Sequence, residues 1–136
     1  MLRFDAITIG QQLPPLVLPP LSRTTLALYA GASGDHNPNH IDSDFARAAG
    51  MEDVFAQGML AMAWLGRVLS AWVAQDQVRQ FDARFISLTR IGDALVCSGV
   101  VTAKTDDAQA RLVTVQLQAV DQRGDRKIVG SAVISF

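Results

Sequence analysis

Apolar residues follow two different periods along this chain. From Gly58 to about Ala74, Met62, Leu65, Leu69 and Trp72 recur at three- and four-residue intervals, which marks one face of a long helix. Leu60, Ala61, Ala63, Trp64, Val68 and Val73 cover much of the remaining circumference, so the helix is expected to be central and wrapped by other structure. Beyond it the period changes. Residues 78–87, 94–103, 111–120 and 127–136 alternate or concentrate β-branched side chains, which predicts four strands. The breaks at Ile91-Gly92-Asp93, Thr105-Asp106-Asp107 and Asp121-Gln122-Arg123-Gly124-Asp125 are polar turn sequences, and their spacing predicts an antiparallel meander.

The first half is more broken. Residues 4–17 read as a short strand, a turn at Gly10 and an extended Pro14-Pro15 segment. Ser22 stands where its hydroxyl can cap a short helix over 24–30 that ends near Gly31. The polar loop from Ser33 to His40 follows, with Pro38 biasing Asn37 away from helix. A second short helix over 43–49 stops at Gly50, and 51–57 is irregular. One long helix against one antiparallel sheet is an α+β layout. At 136 residues, the chain is expected to form one domain over 1–136.

Composition narrows the partners. A formal net charge of -1 with 18% charged residues leaves no basic excess for nucleic acid or an acidic membrane surface. No apolar run approaches the roughly 20 residues of a spanning helix, and no apolar signal region follows the N-terminus, so a soluble cytoplasmic protein is expected. Cys97, the single cysteine, allows neither an internal disulfide nor a thiolate zinc cluster and reads as a small core residue.

The chemistry concentrates in the 33–40 loop. Asp35 and His40 lie five positions apart across Pro38, a spacing that lets a bent loop turn both toward one volume and one water. An imidazole can take a proton from water near neutral pH while a carboxylate orients that water or moves a second proton. Turn and cap roles for Asp35, Asn37 and Asp42 are the alternative, but both histidines of the chain fall within these residues, ahead of a buried helix. Adding water to an activated double bond also needs donors for the oxygen on which charge develops. The Gly58 backbone amide, at the predicted start of the long helix, is the best-placed one. His36, His40, Asp35, Asp42 and Asp44 are metal-ligand types, but Pro38 argues against a helical face that would aim both histidines at one ion, and no metal is expected. Neither a phosphate-binding glycine loop nor a G-x-S-x-G elbow is present. Met59 and Met62, with Trp64, could line an acyl tunnel or simply fill the core. Arg67, Arg84, Arg90 and Lys104 are equivalent candidates for the phosphates of a coenzyme A or phosphopantetheine arm.

The segment from Tyr29 through Asp35-His36-Asn37-Pro38-Asn39-His40 to Ala46, continued by Ala56-Gln57-Gly58-Met59-Leu60, resembles the hydratase 2 motif of MaoC-like dehydratases and (R)-specific enoyl-CoA hydratases. Within that family it looks most like the (3R)-hydroxyacyl-carrier-protein dehydratase subunits. The resemblance implies a hotdog fold, an antiparallel sheet wrapped around one long helix. It also implies Asp35 and His40 as the catalytic pair and the Gly58 amide as the donor to the thioester carbonyl. Ser33, Asn37, Met59 and Met62 are the further substrate-binding candidates. The implied substrate is an acyl thioester of coenzyme A or acyl carrier protein, with no separate cofactor. The implied assembly is a homodimer with sheets joined edge to edge, or a heterodimer with a related hotdog subunit. Acyl-thioester hydrolysis is the alternative activity on this fold. Two positions depart from the motif: Asn39 replaces an aliphatic residue, and Gln57 replaces the histidine or proline often found before the glycine.

Overall fold

In the computed structural model, which describes residues 2–107 and 109–136, three helices and five strands are assembled; Met1 and Ala108 of the single-domain reading lie outside the described residues. The helices follow their caps. Ser22 Oγ accepts from Thr25 N at 3.1 Å and opens α1 (Arg23–Ser33). This helix runs past the expected stop at Gly31, because the left-handed terminating residue is Gly34 at φ +75°, whose N–H returns to Ala30 O. Ser33 is therefore the last helical residue and does not lie in the loop. Asp42 accepts from Asp44 N and Phe45 N to open α2 (Ser43–Ala48).

The long helix, α3 (Gly58–Ser70), is shorter than its apolar pattern predicts. Ala71 caps it, and residues 71–74 leave the axis although they carry no breaker. Its buried stripe is also different: Leu60, Ala61, Trp64, Leu65, Val68 and Leu69 pack inward. Met62 is only half-buried, and Met59, Ala63 and Arg67 are exposed. Within one chain the helix is covered on one side only.

Strands β1 (Leu16–Val17), β2 (Val78–Phe85), β3 (Val96–Asp106), β4 (Arg111–Val120) and β5 (Arg126–Ser135) form one antiparallel sheet in the order β1-β3-β4-β5-β2. The meander expected of the last four strands holds for β3, β4 and β5 but not for β2, which pairs with β5 at the far edge, for example Phe81 opposite Ala132. The segment containing Ile91-Gly92-Asp93 thus crosses the sheet and is not a hairpin. Gly92 N donates to Leu21 O and Leu21 N to Asp93 O, so the crossing is bonded to the segment ahead of α1, a partner that local turn chemistry cannot reveal. The predicted N-terminal strand is a 3-10 turn (Phe4–Ala6), a turn at Gly10, a single bridge between Gln12 and Val100, and β1. Alternate residues of the sheet, among them Val113, Val115, Leu117, Ile128, Ala132 and Ile134, meet the buried stripe of α3 in one apolar cluster. Cys97 is part of it, and burial pushes its thiol up to about 11. No helix among the described residues is long and apolar enough to cross a membrane.

Candidate active site

A cavity of about 400 Å³ opens at the N-terminal end of α3. Its polar edge includes His40, Gln57 and Gly58; its apolar wall includes Phe55, Ala61, Phe85, Ile86 and Leu88; Lys127 also borders it. His40 arrives on a 3-10 turn (Pro38–His40) that Asn37 caps by accepting from Asn39 N. The imidazole is 9% exposed, stands edge-on to Phe55 with ring centroids 4.9 Å apart, and places Nδ1 2.7 Å from Phe55 O. A carbonyl can only accept, so Nδ1 carries the proton of the neutral ring and Nε2 is left with the lone pair.

The Phe55 carbonyl is itself held firmly. Asp53 accepts from Val54 N at 2.8 Å and Ser43 Oγ at 2.9 Å and pairs with Arg23, tying the starts of α1 and α2 to the segment ahead of Phe55. The Val54 N–H foremost, then Arg23 and Ser43, hold the Asp53 carboxyl below its ordinary range against the opposing effect of burial. On the other side Ala56 N donates to Thr89 O, and Phe55 bridges to Arg90.

Gly58 is the first residue of α3, and no side chain caps that helix start. Its N–H belongs to the first-turn amides that lack an intrahelical acceptor, where the helix dipole favours negative charge. A Cβ here would lie 3.3 Å from the Phe85 ring, so a side chain would crowd the cavity wall.

The remaining expected residues are placed less directly. Asp35 is half-buried just after α1; its Oδ1 accepts from Asn37 N at 3.3 Å, its N–H is bonded by Ser33 Oγ, and it is not part of the cavity lining. Ser33 and Asn37 are exposed and make these local bonds, which shape the loop that carries Asp35 and His40. Met59, 56% exposed, and Met62 both lie outside the lining. Lys104 donates to Phe4 O and Ile7 O and sits 4.2 Å from the Phe4 ring, so it fastens the N-terminal turn. Among the described residues no group of three or more histidine, cysteine or acidic side chains could hold a metal ion.

One polar feature of the cavity has only a weak trace in the sequence. Lys127 is an extra residue where the β4–β5 register passes from Ala119 opposite Ile128 to Val120 opposite Arg126. The bulge turns its side chain inward, where Nζ lies 3.2 Å from both Asp93 and Asp121, while Arg123 bonds the same two carboxylates. Burial opposes ionisation of Asp121, yet the N–H groups of Asp125 and Arg123 and the Lys127 ammonium together hold its carboxyl well below the usual range. A charged residue heading an otherwise apolar strand was the available signal.

A curled antiparallel sheet around one helix, with a polar loop delivering a histidine to that helix's N-terminus, defines a hotdog-type domain. The MaoC-like domain model matches residues 6–123, and the chain belongs to that family. An (R)-specific enoyl-CoA hydratase of Rhodospirillum rubrum is 31% identical over 85 residues, 60% of this chain and 58% of the relative. The fatty acid synthase subunit beta of Saccharomyces cerevisiae is 27% identical over 95 residues, 68% of this chain and 5% of that protein. The chain therefore spans less than two thirds of the length of either curated relative. A chain in the crystal structure of the ChsH1-ChsH2 complex from Mycobacterium tuberculosis superposes with a TM-score of 0.81 at 25% identity, covering 95% of this chain and 98% of that one.

Proposed function

We propose that this protein is a hydro-lyase that reversibly hydrates a trans-2-enoyl thioester to the (R)-3-hydroxyacyl form. The observation that carries the reading is His40, buried with Nδ1 fixed on Phe55 O and Nε2 left as the base, on the same cavity as the uncapped start of α3. The family and the hydratase relative support it. In this reading water is held by His40, and the Asp35 carboxylate, on the loop that carries His40 though outside the cavity lining, is its second acceptor. As the water oxygen bonds to the β-carbon, Nε2 takes one of its protons and the π pair moves to the α-carbon, giving an enolate. The Gly58 N–H and the helix dipole stabilise the enolate oxygen. The proton on His40 then passes to the α-carbon, so one water is added in full and the imidazole is neutral again. Coenzyme A or phosphopantetheine enters only as part of the substrate. With Lys104 engaged in structure, Arg67, Arg84 and Arg90 are the cations proposed for its phosphates.

The assembly belongs to the same reading. β2 is an edge strand, and Phe85, Ile86 and Leu88 beside it are exposed around the cavity. An apolar edge of this kind is covered when a second sheet joins it. A homodimer, or a pair with a related hotdog subunit as in the two-component mycobacterial complex, would close the cavity wall. Light scattering on the purified chain tests this, a monodisperse active monomer being the result against it.

The activity test is loss of the conjugated enoyl absorbance of crotonyl-CoA. Turnover by wild type with a loss of about 100-fold or more in Asp35→Asn supports the reading and the role of Asp35 together. Full rate in Asp35→Asn removes that role, and release of free thiol by wild type would point to a thioesterase.

A further inference from the structure

Gln57 is 1% exposed, and its Oε1 has no hydrogen-bond donor among the described residues. Its Nε2 reaches Leu26 O over a long 3.4 Å. Burying an acceptor without a partner is destabilising, and folds rarely retain one without a use for it. Gln57 also borders the cavity, as His40 and Gly58 do. The terminal torsion of a glutamine is broad, so a weakly tethered amide can turn its oxygen toward a donor in that space.

Resting on the hydratase reading above, we propose that Gln57 is a specificity-determining residue whose Oε1 accepts a hydrogen bond from the reacting oxygen. That oxygen is the 3-hydroxyl on the hydroxyacyl side, whose one hydrogen goes to Gln57; the two hydrogens of water on the enoyl side are taken by His40 Nε2 and Asp35. An acceptor needs a donor, and the thioester carbonyl and the apolar acyl chain have none to give. The N–H and O–H groups of the pantetheine arm and the nucleotide are the other donors on such a substrate. They are common to hydroxylated and plain acyl thioesters, so a pair of ligands separates the two. The site is accordingly one that prefers 3-hydroxyacyl over saturated acyl thioesters, with Gln57 supplying the preference.

The experiment is calorimetric binding of (R)-3-hydroxybutyryl-CoA and butyryl-CoA to the full chain, in wild type, Gln57→Met and Gln57→Leu, with Tm recorded for each. Wild type is expected to favour the hydroxylated ligand by about tenfold, the scale of one good hydrogen bond. Both variants are expected to bind the two ligands equally, keep the wild-type affinity for butyryl-CoA, and melt at or above the wild-type temperature. A preference that survives in either folded variant overturns the proposal, as does an equal loss for both ligands, which would assign Gln57 to the arm. Should neither variant fold, Gln57 is a structural residue and the proposal is again overturned. Wild type that hydrates crotonyl-CoA but shows no preference defeats this inference alone. Wild type that neither hydrates nor binds defeats the hydratase reading as well.

Discussion

Two polar corners border the same cavity, and they are built in opposite ways. At one, Lys127 and Arg123 face Asp93 and Asp121, so two positive and two negative groups are matched with ion-pair distances of 2.6 to 3.2 Å. At the other, His40 Nδ1 is fixed on Phe55 O and Gln57 Nε2 reaches Leu26 O only over 3.4 Å. Among the described residues Gln57 Oε1 has no donor and the start of α3 has no side-chain cap. A polar cluster whose charges are matched within the protein shapes the wall. An unsaturated one carries a free-energy cost that binding can relieve. The contrast does not depend on residue type, since both corners contain acid or base groups.

Removing the saturated corner should act on stability. Lys127→Met leaves two buried carboxylates facing one half-exposed arginine, and a loss of about 4 kcal/mol in denaturant unfolding is expected. The opposite corner should respond in rate. His40→Ala is expected to lose about 100-fold or more in kcat on crotonyl-CoA with little change in Tm, and a large fall in Tm instead would show that its bond to Phe55 O is chiefly structural. Gly58→Ala sharpens the comparison further. The added methyl meets only the exposed Phe85 ring, so Tm should hold while kcat/KM falls by roughly tenfold through a misplaced acyl carbonyl.

Acid should distinguish the corners with the smallest effect. Asp121 and Asp53 have carboxyls held below their ordinary range, so their stabilisation is fully present above the unfolded-state pKa of roughly 4. It is lost as pH falls through the lower folded-state values. Thermal melts between pH 5 and pH 2, in round terms, should fall less steeply for Asp121→Asn than for wild type. Equal slopes would mean that other carboxylates dominate acid unfolding.

Local features of the fold were legible because their causes are local. Ser22, Asp42 and the alternation of the last three strands each act within a few residues. The candidate residues of the loop stand out for the same reason, since Asp35, Asn37 and His40 lie in one short segment. The stop of α1 was missed because Gly31 and Gly34 are both glycines, and which one takes positive φ depends on where the chain must turn next.

The sequence by itself determined the long helix and the last four strands, the family and the residues around which the chemistry is proposed, all carried by periodicity and short spacings. Only the tertiary structure decided that β2 crosses to the far edge and that a β-bulge aims Lys127 inward. It also decided that a backbone carbonyl fixes the tautomer of His40 and that Gln57 Oε1 is buried without a donor among the described residues. Each of these depends on partners brought together from distant parts of the chain, and a backbone acceptor such as Phe55 O has no side-chain signature to read.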